Sequence, residues 1–178
     1  MSHSATDVVD FWRTAGAGKW FAKDDAFDQA FRTRFLDLHF AAARRERDDW
    51  LATPPGALAL LILLDQFPRN AFRGTAHMFA TDPLALGFAR LVVARELDRQ
   101  VEPLLRVFCY LPFEHSEAAA DQERSVVLCD ALRGHDQWAH MHRDIIRRFG
   151  RFPHRNAVLG RETTPEEQAF LEAGGFTG

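Results

Sequence analysis

Apolar residues recur along this chain at steps of three and four. In "DDAFDQAFRTRFLDLHFAAARR", Phe27, Phe31, Phe35, Leu38 and Ala42 fall on one side of a helix, the period of an amphipathic α-helix and not of a strand. Before it, "TDVVDFWRT" predicts a shorter helix stopped by Gly16 and Gly18. "TPPG" then breaks the chain after Trp50. Ala57 to Leu64 read "ALALLILL", apolar all round, which predicts a central buried helix. So short a run would also suit a strand, but Ala and Leu are not strand formers and no partner strand is visible.

The second half repeats the pattern. Asp82 as cap and Pro83 at the first helical position open a helix with Leu84, Phe88, Leu91, Val92 and Arg95 along one side. "VEPLLRVFCYL" predicts another helix, opened by Pro103 and interrupted at Pro112. A further helix is expected from about Ser116 to Leu132, with Gly134 as its stop. Asp136 can cap "QWAHMHRDIIRRF", which ends at Gly150 and places Trp138, Met141, His142, Ile145 and Phe149 on one face. Thr164, Pro165 and Glu167 spell a capping box for the last helix, stopped by Gly174 and Gly175. The expectation is an all-α protein of seven or eight helices with no strand, forming a single helical domain over residues 1–178.

Composition adds little to that picture but removes some options. Hydrophobic residues make up 47 % and charged residues 26 % of 178, an ordinary globular mixture. A net charge of -3 gives no electrostatic case for nucleic acid or an anionic membrane as partner. No apolar run is long enough to span a bilayer. The N-terminus lacks the pattern of a signal peptide, and Cys109 and Cys129 stand apart in apolar segments, as free thiols in a reducing cytoplasm would. A cytoplasmic location is expected. Lys19 and Lys23 are the only lysines; the other cations are Arg, whose planar fork suits carboxylates and phosphates.

The chemistry-bearing residues gather at helix breaks. "LLDQFPRNAFRG" from Leu63 is echoed by "FGRFPHRNAVLGR" from Phe149: both run Phe-Pro, Arg-Asn, Gly. In the first, Asp65 ends an otherwise apolar helix and must pair or reach water. Arg69 and Arg73 are the nearby partners, and a break at Pro68 would expose Arg69 and Asn70. In the second, Arg151, His154, Arg155, Asn156 and Arg161 crowd a loop whose next acid is Glu162, so an outside anion is the expected partner of the guanidiniums. Between the echoes, "LPFEHSE" sets Glu114, His115 and Ser116 at a helix start, an acid, a base-capable ring and a hydroxyl. His142 joins them as a histidine on a buried stripe. Glu114, His115 and His142 are therefore the catalytic candidates. Asp65, Arg69, Asn70, Arg73, Arg151, His154, Arg155, Asn156 and Arg161 are the ligand-binding ones. Each also has a structural reading: a clasp between helices, a cap, or a fork filled by a distant acid.

Several familiar chemistries are missing. "GAGKW" lacks the spacing of a phosphate-binding loop, and there is no GxGxxG, GxSxG or HExxH. His135, His140 and His142 lack the i, i+4 spacing of two ligands on one helix face. No cofactor and no metal are expected.

"VVDFW", "LLDQFPRNAFRGTAHMFATDPLAL", "FCYLPFEHSE" followed by "DQERS", and "FGRFPHRNAVLGRETTPEEQAFL" together resemble the bacterial family known as domain of unknown function 924, over almost the whole chain. The resemblance implies a tetratricopeptide-like arrangement of antiparallel helix pairs and a bacterial soluble protein; it carries no activity and no catalytic residues. The function expected from the residues is binding of a small anion, carboxylate or phosphate, where the polar turns converge, with acid–base catalysis there as the enzymatic option. The alternative is a helical module that binds a protein or peptide without catalysis, a role that rests on fold analogy alone.

Overall fold

The computed structural model describes residues 3–132 and 136–178. Gly134 as a helix stop, His135, and the capping side chain of Asp136 lie outside the described residues. Among the described residues the regular structure is helical throughout, with no strand. Seven α-helices of eight residues or more are Ala5–Ala15, Asp25–Ala43, Pro54–Leu61, Asp82–Ala94, Ala119–Cys129, Asp136–Phe149 and Pro165–Glu172. Shorter α, 3₁₀ and π turns join them. The chain gathers into two compact units, one running to Arg73 and resuming at His77–Pro112, the other made of Gly74–Ala76 and Phe113–Gly178.

In the first unit the expected aromatic face is the core. Phe31 and Phe35 of the Asp25–Ala43 helix are fully buried, as are Trp12, Phe67 and Phe108. Trp12 meets Phe31 at 5.3 Å and Phe108 edge-on at 5.3 Å, and Phe31 meets Phe67 edge-on at 5.0 Å, separations at which ring pairs add to simple burial. The Ala57–Leu64 run is buried on every side. Burying each of its Leu and Ile side chains stabilises the fold by about 1.5–3 kcal/mol. Ser4 closes a capping box on Asp7 at the first helix, and Gly16 ends it with φ 75°.

Three expectations need correction. Pro68 does not break the chain. Pro54–Leu61 passes into a π-helical turn, Ile62–Gln66, and continues as Phe67–Ala71, leaving Asn70 buried and not exposed. Thr81, not Asp82, is the N-cap position of the next helix, and Leu91 of that helix faces solvent. "VEPLLRVFCYL" is no single helix but a 3₁₀ turn, Arg106–Cys109, and a short helical turn, Leu111–Glu114. There Arg106 donates to the carbonyls of Arg99 and Val101, and the Tyr110 hydroxyl donates to Asp98, so side-chain bonds fold the segment back on itself.

In the second unit, Ala119–Cys129 and Asp136–Phe149 pack together. The latter buries His142, Ile145 and Ile146 but leaves Trp138 exposed, so the expected stripe is right at its centre and wrong at its N-terminal end. Phe152 is fully buried beside Ile145 and Ile146, with Met141, Phe149, Phe170 and Phe176 against them. Thr164 and Glu167 form the expected capping box. Cys109 and Cys129 are both buried thiols. No helix among the described residues is long and apolar enough to cross a membrane.

Candidate functional site

The π turn explains why polar residues collect around the first echo. Its wide register takes the N–H of Phe67 to the carbonyl of Ile62, five residues back. The carbonyl of Leu63 would then look to residue 68 in π register, and that of Leu64 to residue 68 in α register. Residue 68 is proline and has no N–H. Side chains supply the missing donors. His39 Nδ1 lies 2.8 Å from the Leu63 oxygen, the Thr81 hydroxyl donates to Leu64, and Arg69 donates to the Asp65 carbonyl at 2.7 Å.

The remaining polar groups of this turn are paired inside the unit. Arg69 forks onto Asp82 at 2.9 and 3.0 Å and stands 3.2 Å from the Asp65 carboxylate. Gln66 donates to Asp65 at 2.6 Å. Asp28, from the long Asp25–Ala43 helix, accepts from Asn70 at 2.7 Å and from Arg73 at 2.6 Å. Asp65, Arg69, Asn70 and Arg73 thus form two clasps, one to Asp82 and one to Asp28.

His39, Thr81, Asp28 and Asp82 were not among the candidate site residues read from the sequence. His39 is fully buried in a chain of two imidazoles, its Nε2 standing 3.2 Å from Nε2 of His77. A carbonyl only accepts, so Nδ1 of His39 carries the proton, and neutral His39 accepts from His77 through Nε2. Burial pushes the His39 pKa down to about 4; the Leu63 carbonyl opposes this, and His77 adds a smaller lowering. The signal was available: position 39 lies four beyond Phe35 and three before Ala42, on the buried face.

The second unit holds the other candidates. The Leu111–Glu114 turn presents Glu114, and the Asp136–Phe149 helix presents His142. Glu114 Oε1 lies 2.7 Å from His142 Nδ1, with both side chains more than nine-tenths buried. The ring nitrogen does not line up on the oxygen as in a good hydrogen bond, so the contact is a close approach of two polar groups. A carboxylate at Nδ1 favours the tautomer with its proton there and leaves Nε2 as the basic nitrogen. His142 stands edge-on to Phe152 at 5.4 Å. The same ring meets His154 at 5.6 Å and carries the Arg155 guanidinium over it at 4.4 Å, within cation–π range. Glu114, His142, His154 and Arg155 therefore gather around Phe152. His115 is half-buried next to Glu114.

The other arginines of the second echo meet acids of their own unit. Arg151 forks onto Glu167 at 2.6 and 2.8 Å and donates to the Glu162 carbonyl. Asn156 reaches the same Glu167 at 3.2 Å. Arg151, the Thr164 N–H and the Thr164 hydroxyl hold the Glu167 carboxyl down at about 2 against its burial. Arg161 forks onto Glu117 at 2.7 and 3.1 Å and donates to the Phe152 carbonyl, while the Phe152 N–H donates to Glu117. Burial alone would raise the Glu117 pKa; Arg161 and that N–H outweigh it and lower it. The backbone of Phe152 is thus clamped at both N–H and C=O.

Arg69 belongs to the first unit and Arg155 to the second. Among the described residues no group of three or more His, Cys, Asp or Glu side chains is arranged to hold a metal ion. Two concave surfaces occur in the first unit. One is about 330 Å³ beside Arg32 and Arg34, and the other about 590 Å³ beside Phe11, Phe27, Asp10 and Lys19; neither is lined by a candidate site residue.

No curated protein matches the chain. Among solved structures it resembles a protein of unknown function, ATU0120, from Agrobacterium tumefaciens, at 59 % identity with a TM-score of 0.94, covering 96 % of this chain and 97 % of that one. Residues 8–175 match the profile of a bacterial protein family of unknown function, DUF924, so the chain belongs to that family.

Proposed function

We propose that the Phe113–Gly178 unit carries a small-molecule site for a carboxylate or phosphate, with Glu114 and His142 as its acid–base pair. The carrying observation is the 2.7 Å contact between two buried groups, Glu114 and His142, on a ring that also packs His154 and Arg155. A carboxylate that orients one ring nitrogen and leaves the other as base is the working arrangement of a general base. Arg155 contributes the positive charge of the site and His154 a second donor. Arg151, Arg161, Arg69 and Arg73 are assigned as braces, each holding a carboxylate of its own unit.

The test is a thermal-shift titration of the whole chain with inorganic phosphate and acetate, followed by wider sets of phosphates and carboxylates. A ligand that binds only the folded state raises the melting temperature. The expected result is a rise that His142→Gln and Arg155→Lys each reduce while Arg151→Lys does not. A melting curve that no anion moves would remove this function and leave the non-catalytic protein-binding module as the reading to pursue.

A further inference from the structure

The turn that carries Glu114 is held from the helix that follows it. Gln122, one turn into Ala119–Cys129, is fully buried. Its amide donates one N–H to the carbonyl of Glu114 at 2.7 Å and the other to that of Ser116 at 2.6 Å. Two N–H groups of the turn itself go elsewhere: that of Ser116 to the Phe113 carbonyl and that of Ala118 to the Ser116 hydroxyl. Two neighbours of the His142 ring depend on this turn. The Glu114 carboxylate stands 2.7 Å from Nδ1. Glu117 accepts from the N–H of Phe152, whose ring meets His142 edge-on. Gln122 Oε1 is buried with no donor, which costs stability; a Met or Leu filling the same space would bring no such oxygen.

We infer that Gln122 is the positioning residue of this site: by holding the Glu114 turn at two carbonyls it keeps the carboxylate on Nδ1 of His142 and so selects the tautomer whose basic nitrogen is Nε2. This rests on the function proposed above and adds the residue that sets its base. The choice of side chain follows from its donors. A primary amide carries two hydrogens for two acceptors, a carboxylic acid carries one, and a thioether none. Without the clasp the carboxylate is free to turn away from Nδ1, and the ring relaxes toward the Nε2–H form that a solvated imidazole favours. The site then presents an N–H where a base needs a lone pair.

The experiment reads the ring-nitrogen shifts of His142 by NMR in wild type, Gln122→Met, Gln122→Glu and Ser125→Ala, during titration with inorganic phosphate and acetate. Wild type is expected in the Nδ1–H form. Gln122→Met is expected to move the ring toward Nε2–H and to weaken both anions about tenfold, the scale on which groups behind a functional histidine act. Gln122→Glu is expected to fall between the two, since a carboxyl buried against two carbonyls takes up a proton and keeps one donor. Ser125→Ala removes a buried hydroxyl from the same helix and is expected to keep the wild-type tautomer whatever its melting temperature. An unchanged tautomer in Gln122→Met would overturn the inference and leave the acid–base pair standing. The same shift in Ser125→Ala, or unfolding of both Gln122 variants, would make Gln122 a structural residue and overturn it too. A tautomer that follows Gln122 in a chain that binds neither anion would keep the positioning role and remove the function. Wild-type His142 in the Nε2–H form would remove both.

Discussion

Nδ1 of His39 donates to the carbonyl of Leu63 at 2.8 Å, filling the place of an N–H that Pro68 lacks. The contact holds the π turn in register, and it ties the fold to pH. His39 is neutral when buried, with its pKa pushed from 6.5 to about 4. The unfolded chain therefore binds a proton that the folded chain refuses between those values. Stability is full above about pH 6.5 and falls as pH drops toward 4, by up to about 3 kcal/mol. Urea midpoints measured from pH 7 to pH 4 should decline, and His39→Phe should flatten that slope while lowering the midpoint at pH 7.

A second acid window belongs to Glu167. Its carboxyl is held at about 2 by Arg151 and the Thr164 cap, so its contribution is present above the ordinary 4.5 and is lost as pH falls toward 2. Glu167→Gln should remove the part of the acid transition that lies below pH 4.5. It should also loosen the last helix, since the neutral amide keeps an oxygen for the Thr164 cap but loses the charged Arg151 fork. Amide exchange across Pro165–Glu172 is the measurement.

Asp28 is expected to be the costliest of the acids in the first unit. Asn70 is buried and donates to it, and Arg73 shares it. Asp28→Ala leaves a buried amide without its acceptor, which costs about 1–3 kcal/mol in addition to the lost ion pair. Asp65→Asn should cost less, about 1–2 kcal/mol, because Arg69 keeps both bonds to Asp82. Equal chemical denaturation midpoints for the two variants would contradict this order.

Arg155 and Arg161 should separate binding from bracing. Arg161→Lys loses a fork that holds Glu117 and one side of the Phe152 clamp, so the melting temperature should drop. Arg155→Lys keeps a cation but loses the planar fork and its stacking on Phe152. It should weaken anion binding while far-ultraviolet circular dichroism stays helical. Loss of fold in both variants would make Arg155 a brace as well.

Helix identity was legible because its cause is local. The Phe27–Phe31–Phe35 spacing and the Thr164–Glu167 box each act within one or two turns, and each shows in the letters themselves. Pro68 was misread for the opposite reason: whether it breaks a helix depends on whether other elements can satisfy the carbonyls it strands. His39 and Thr81 do so from 24 and 17 residues away.

The candidate site divides in the same way. Sequence alone determined that this protein is helical, that Glu114, His154 and Arg155 sit at helix breaks and His142 on a buried helical stripe, and that its arginines need anionic partners. Only the tertiary structure decided which acid each fork meets. Arg73 finds Asp28 at a separation of 45 residues, and Arg161 finds Glu117 at 44. A guanidinium that meets a nearby acid and one that meets a distant acid are written with the same letter. Their difference is set by which helices pack together, through the cost of burying a charge without a partner, and no local pattern encodes it.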